Sequence, residues 1–354
     1  MIGGIESYIK NCLSAFPNSK ILNSANFSKN EIVLSLNKQI FHFHRLDSLQ
    51  KLPYLSHSAI FSVHNHDIYC PSGTRFAWGS HCQIQKDLMS CTIGHLLGRC
   101  GTKNPITILK HLERSFSSTN LLKELRIPLL ANSSFLKNQL LLNGFPESQV
   151  KLLHHGHYSL DPNGLLFKNK VLTSTTHKQK RIIFVGRITK HKGLDWLIRS
   201  LKLCPAVQLD VVGDGWSLNA TKKLASDLDL NSRITWHGKC DRVKIEHLIQ
   251  QSIALIFPSI WPEPAGLVTL EAYDQARPVI AGNVGGIPEH LEDNVTGFLI
   301  PPNDIKAMAR AINLLVDDFE TCKNLGINGY ELLQSKFTFD KHVKKLNSIY
   351  ESII

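Results

Sequence analysis

No apolar run in these 354 residues approaches the roughly 20 that a membrane-spanning helix needs, so no such span is expected. No signal peptide precedes Gly3, and the expected compartment is cytoplasmic. Cys-x-x-Cys spacing is absent, which argues against a structural zinc site. No Lys/Arg-rich run or nucleic-acid motif occurs, so nucleic acid is not an expected partner. Long repeats and low-complexity tracts are missing too.

What is present is ordinary globular material, 43% apolar and 19% charged. The length exceeds a single core and predicts two domains. Eight cysteines in such a chain are expected to be reduced, with Cys70, Cys82, Cys91 and Cys100 gathered in one polar stretch. The net charge of +11 is uneven. Residues 1–170 carry 18 Lys/Arg against 9 Asp/Glu, and residues 171–354 carry 22 against 20. A basic first half suits an anionic acceptor or an acidic membrane surface, and equally a merely soluble basic domain.

The second half alternates short β-rich runs with helically spaced ones. Strands are predicted at 182–185, 209–212, 234–236, 254–257 and 279–281. Leu194, Leu197, Ile198 and Leu201 form a helical stripe between two of them. This rhythm predicts an α/β fold with a parallel sheet covered on both faces. The first half repeats it more weakly, with strand cores at 40–43, 59–63, 129–131 and 152–153. Helices are predicted along Ile5, Ile9, Cys12, Leu13 and Phe16, across 109–125, and over 338–354. Residues 66–104 read as a long polar connection, of a length more often functional than accidental. The polar stretch 162–177 reads as the interdomain linker.

Two constellations follow strand ends in the second half. The first is Gly186-Arg187-(x)4-Lys192-Gly193. Arginine supplies a fork and lysine a point charge, both suited to phosphate, and the glycines admit close backbone approach. The second is Pro262-Glu263-Pro264-Ala265-Gly266-Leu267-Val268-Thr269-Leu270-Glu271, read as a loop whose Gly266 opens a helix. Free amides of Gly266, Leu267 and Val268 would form an anion site. Glu271 could accept two hydrogen bonds from a ribose diol, and Glu263 could face a sugar. Each feature alone is also readable as a surface cation or an ordinary acid. Their shared placement at strand carboxyl ends favours a ligand site for a nucleotide-activated sugar. Gly285-Gly286-Ile287-Pro288-Glu289 follows the next strand.

These residues resemble the retaining glycosyltransferases of family four. The resemblance runs through Val212-Gly213-Asp214-Gly215, 258–264, Leu270-Glu271-Ala272, 285–289 and 297–302, and so covers about 180–316. It implies a GT-B architecture, two Rossmann-like domains with parallel sheets facing a cleft. The first half matches more loosely, through Gly3-Gly4-Ile5-Glu6, His64-Asn65 with Cys70-Pro71, and Ala131-Asn132-Ser133. The family has a strand before the glycine loop, where only Met1 and Ile2 stand here, so the expectation is either a chain that begins inside its first domain or a first domain without its first strand. Ala265 stands where a bulkier residue often sits.

By resemblance, Arg187, Lys192, Gly186, Gly4 and the amides at 266–268 bind the donor diphosphate. Glu271 binds the ribose, Glu263 the donor sugar, and His64 the sugar or the incoming hydroxyl. The implied activity is retaining, metal-independent transfer of a hexose from a nucleoside diphosphate sugar, which is a substrate, with no cofactor. The expected setting is polysaccharide, lipopolysaccharide or glycolipid synthesis, with an anionic or lipid-linked acceptor and peripheral association with the inner membrane. The domains are expected at 1–165 and 176–336, with a helix at 337–354 returning toward the first domain. A non-catalytic nucleotide-sugar binder or scaffold and a sugar-nucleotide epimerase are the alternatives.

Overall fold

The computed structural model describes residues 4–16, 19–22, 31–35, 39–44, 59–98, 100–161 and 164–353. Gly3, Pro162 and any strand before the glycine loop lie outside them. The chain divides into two compact units, His157–Phe339 and Ile2–Gly156 joined by Asp340–Ile354.

The C-terminal unit is built on a wholly parallel six-stranded sheet. Its strands are β9 (Arg181–Val185), β10 (Gln208–Val212), β11 (Ile234–Gly238), β12 (Ala254–Phe257), β13 (Val279–Gly282) and β14 (Gly297–Ile300). Their spatial order is β11-β10-β9-β12-β13-β14, so the winding reverses between β9 and β12. Successive side chains of a strand face opposite sides, and both sides are buried here. Ile182 and Phe184 enter one core, Ile183 and Val185 the other. The helix Leu194–Leu201 closes the first core with Leu194, Leu197, Ile198 and Leu201, all buried. Each such side chain contributes about 2 kcal/mol.

The stretch expected as a linker is part of this unit from Gly164 onward. It holds two short helices, Phe167–Lys170 and Ser174–Lys178. Lys170 is buried and paired with Asp274 at 3.3 Å and Asp161 at 3.6 Å. Arg277, also buried, donates to the Lys170 carbonyl at 2.5 Å. A polar composition marks a buried ionic network here as well as it would mark a tether. β14 was not anticipated because it is short and opens on glycine.

The N-terminal unit has a mixed sheet. β2 (Glu31–Ser35) pairs antiparallel with both β1 (Ser19–Leu22) and β3 (Gln39–Phe43). β3, β4 (Ala59–Val63), β7 (Leu129–Ala131) and β8 (Val150–Leu152) run parallel. β3 is hydrogen-bonded on both sides, so its backbone groups are satisfied. The stretch 66–104 is not irregular throughout. It holds a two-stranded ribbon, β5 (Phe76–Ala77) with β6 (Ser80–His81), and a helix, Leu88–Leu96. The helix Phe339–Glu351 buries Leu346 and Tyr350. Within this unit the Tyr350 hydroxyl meets His42 Nδ1 at 2.6 Å, and Tyr8 meets His342 Nε2 at 3.0 Å.

Candidate donor-binding site

In an open α/β sheet the ligand crevice lies beyond the strand carboxyl ends where the winding reverses. The loops after β9 and β12 flank that point, and they carry Arg187, Lys192 and Glu263. Lys190–Lys192 form a single 3-10 turn ended by Gly193, whose left-handed φ of 72° starts the following helix. That turn is stitched to the second loop. Ile260 N donates to the His191 carbonyl at 3.0 Å, and Ser259 Oγ does so at 3.3 Å.

The stitch brings Lys192 onto Glu263. The ammonium donates to Glu263 Oε1 at 2.5 Å, and Ser259 Oγ donates to the same oxygen at 2.7 Å. Lys192 also lies over the Trp261 ring, 5.1 Å from its centre. Glu263 is held from behind as well, because Gly286 N donates to its carbonyl at 2.7 Å and His290 Nδ1 donates to the Ala265 carbonyl at 2.7 Å. Burial pushes the His191 imidazole down to about 4, Lys192 and Arg187 lower it further, and Glu263 opposes them. Arg187 stands on the same loop after β9 as His191 and Lys192. Arg187 is exposed, and its side chain has no hydrogen bond or ion pair among the described residues.

The second loop differs from the sequence reading in one respect. Gly266 does not open the helix, because its φ of 77° is left-handed. The helix is Val268–Asp274, and Glu271 lies in its first turn. Burial pushes the Glu271 carboxyl above the usual carboxylate range, His157 and Arg242 oppose that, and Glu246 adds to it. Its side chain has no hydrogen-bond partner among the described residues. Its charged neighbours are thus distinct from those around His191.

Gly4 and His64 belong to the N-terminal unit. Gly4 is the first residue of the helix Gly4–Ala15. His64 lies just past β4, with its Nε2 2.8 Å from His44 Nδ1 and its ring stacked on His155 at 5.3 Å. Burial holds both His64 and His44 well below the usual imidazole range. Cys70, Cys82, Cys91 and Cys100 do line one cavity, with His95. Among the described residues, however, no three His, Cys, Asp or Glu side chains are placed to hold a metal ion. His191, Ser259, Trp261 and His290 were not singled out from the sequence. Their signal was available only as adjacency to Lys192 and Glu263.

The buried histidines have a consequence for stability. His42 is pushed down to about 3, first by burial and then by His64, His342 and His155. Burial pushes His342 down to about 4. An unfolded histidine titrates near 6.5, so the unfolded chain binds more protons than the folded one below that value. The stabilisation is full above about 6.5 and is lost as pH falls toward the folded values. The thermal midpoint is therefore expected to drop as pH is lowered from about 7 to about 4, less so in His342→Gln. A midpoint that stays level in the wild type over that range would refute the neutral, buried assignment.

Residues 168–332 match the family described as "Glycosyl transferases group 1". Alpha-maltose-1-phosphate synthase of Mycolicibacterium smegmatis is 30% identical over 188 residues, 49% of this chain and 48% of that protein. Alpha-D-kanosaminyltransferase of Streptomyces kanamyceticus is 29% identical over 176 residues, 49% of this chain and 45% of that protein. The chain spans about half the length of the curated relatives it matches. Among solved structures, Anabaena Alr3699/HepE in complex with UDP superposes with a TM-score of 0.65 at 19% identity, over 88% of this chain and 78% of that one. No helix among the described residues is long and apolar enough to cross a membrane. The fold is that of the GT-B glycosyltransferases, and within it residues 168–332 are similar to the glycosyl transferases group 1 family.

Proposed function

We propose that the chain transfers a sugar from a nucleoside diphosphate sugar to an acceptor hydroxyl with retention of anomeric configuration, as in family four. The observation that carries this reading is the contact of Lys192 with Glu263 between the loops after β9 and β12, where the sheet reverses its winding and where Arg187 stands on the first loop. In the proposed reaction the bond from the anomeric carbon to the diphosphate breaks. The acceptor oxygen bonds to that carbon from the same face, and its proton passes to the departing phosphate. Charge develops on the leaving group, and fixed cations stabilise it without reorganising. Arg187 and Lys192 take that role in place of a metal, beside Gly186 and the amides of Gly266, Leu267 and Val268. Glu263, anchored by Ser259 and Lys192, is assigned to the sugar hydroxyls. Gly4 and His64 take the roles that the resemblance implies, toward the donor phosphate and the reacting hydroxyl. Glycan, lipopolysaccharide or glycolipid synthesis is the proposed setting, since similar proteins include a lipopolysaccharide core biosynthesis glycosyltransferase and a phosphatidylinositol monomannoside mannosyltransferase.

The test is to incubate purified protein with a panel of nucleoside diphosphate sugars, with and without acceptor saccharides. Release of nucleoside diphosphate with a new glycoside supports the proposal. An epimerised donor in the absence of acceptor would make it an isomerase, and binding without turnover would make it a binder.

Glu271 separates ligand contact from fold. A carboxylate with a raised folded pKa is destabilising once ionised, so its contribution is favourable only at low pH and fades as pH rises through that pKa. Glu271→Gln should therefore melt higher than wild type at neutral pH and bind donor about tenfold more weakly, the loss of one charged hydrogen bond. Calorimetry showing unchanged donor affinity would make Glu271 an acid without a ligand role.

A further inference from the structure

We infer that the C-terminal unit carries a saccharide subsite built on the exposed indole of Trp216, which stacks on the apolar face of a sugar ring of the acceptor. The inference rests on the transfer reading above and adds the ring-binding residue of that reaction.

Trp216 lies in the loop after β10 and is 74% exposed. An indole left in water forgoes one of the largest burial gains a side chain can make. On a loose loop that exposure would carry little meaning, but this loop is pinned. Gly213 N donates to the Gly238 carbonyl at 2.8 Å, and Ser217 N donates to the Ile188 carbonyl at 3.1 Å. Ile188 N donates in turn to the Asp214 carbonyl at 2.9 Å. A methyl at Gly215 would stand 2.3 Å from the Ile188 carbonyl oxygen, so the two backbones lie against each other. The loop after β10 is thus fastened to the loop after β9, which carries Arg187 and Lys192. A ring displayed on so fixed a loop binds with little ordering cost.

A row of rings leads from Trp216 to the donor site. Trp216 meets His191 edge-on with centres 6.0 Å apart, and His191 lies 5.8 Å from the Trp261 ring. Lys192 lies over Trp261 and contacts Glu263. His191 and Trp261 are half-buried, so Trp216 is the member of the row that offers an open face.

Chemistry decides the occupant. A pyranose has a face of C–H bonds and a rim of hydroxyls. The C–H face can cover an indole without leaving a polar group unpaired. The rim finds polar partners close by, since exposed Asp214 pairs with exposed Lys239 at 3.6 Å. A nucleobase would stack on an indole too. The fold sends the base elsewhere. Trp216 leads into the helix Leu218–Asp227, whose Ala225 enters the core on one face of the sheet. The helix of Glu271, the residue assigned to the ribose, packs Leu270, Ala272 and Tyr273 into the core on the other face. A base joined to that ribose stays on the second side.

The experiment titrates purified protein with gluco-, galacto- and manno-oligosaccharides, from mono- to tetrasaccharides, and separately with UDP, by calorimetry. At least one series should bind wild type. Trp216→Ala should weaken that binding about tenfold, the effect of losing one well-placed aromatic contact. Trp216→Leu, which keeps apolar bulk without a flat ring, should lose as much, and Trp216→Phe should recover most of it. UDP affinity and thermal melting should stay at the wild-type values in all three, because the side chain is exposed. In the transfer assay the acceptor KM should rise while kcat is unchanged. The inference is overturned if no series binds wild type, if Trp216→Ala binds glycans as wild type does, or if Trp216→Leu is as good as Trp216→Phe. It is overturned too if the loss falls on UDP, which would give the indole to the base. A protein that binds glycans through Trp216 and transfers no sugar would sink the transfer reading and leave the saccharide subsite standing.

Discussion

Lys192→Ala is expected to lower kcat/KM about 10²–10³-fold and to lower the melting temperature as well, for two separable reasons. An ammonium has three protons to donate, and Glu263 Oε1 takes one of them. The others remain for phosphate oxygens, and loss of a leaving-group donor in a preorganised site costs about 3–4 kcal/mol of transition-state stabilisation. The second reason is structural. Glu263 is buried and Lys192 largely so, with side chains 6% and 14% exposed, and removing the lysine strands the carboxylate's charge. That stranding costs about 3–5 kcal/mol, more than the pair itself is worth. Neutralising the carboxylate tells the two apart. Lys192→Ala combined with Glu263→Gln should recover much of the lost stability, because no charge is left unpaired. It should not recover turnover, because the cation is still missing. If activity returned together with stability, Lys192 would be a prop for Glu263 and its phosphate role would fall.

The strands and their order of chemistry were legible in the C-terminal half because each central strand is a continuous apolar run between turns. β12 is the plainest case, all four residues buried. Binary pattern also exposed the stripe of Leu194–Leu201. What a pattern does not carry is which side chains meet across loops. Lys192 and Glu263 are 71 residues apart, and their contact depends on a stitch through the His191 carbonyl that involves backbone atoms. The glutamates Glu263 and Glu271 look alike in the sequence. The fold gives the first a cation and a hydroxyl, and leaves the half-buried second without a hydrogen-bond partner among the described residues. The helix Leu88–Leu96 was read as part of a loop because its large apolar residues, Leu88, Met89, Ile93 and Leu96, are exposed in a polar stretch and its buried residues are Gly94 and His95.

Gly193→Ala should leave a folded protein with kcat/KM reduced about 100-fold, although the added methyl touches no substrate. The backbone at 193 is left-handed, and a methyl there would stand 1.7 Å from the Pro258 carbonyl oxygen. That oxygen belongs to the loop which the His191 carbonyl holds through Ile260 and Ser259. The two loops can accommodate the methyl only by separating, and this draws Lys192 away from Glu263 and from the place assigned to the diphosphate. A displacement of about 1 Å at a reacting centre is enough for a loss of that size. Gly238→Ala supplies the control. Its φ of 65° is also left-handed, but a methyl there meets nothing within 4 Å. It should lower the melting temperature by the backbone strain alone, about 1 kcal/mol, and leave kcat/KM unchanged. Equal kinetic losses in the two variants would mean that strain, and not the spacing of the two loops, sets the rate. A Gly193→Ala enzyme with full activity would show that the loops can part without moving the cation, and the site would then have to be assembled from other residues.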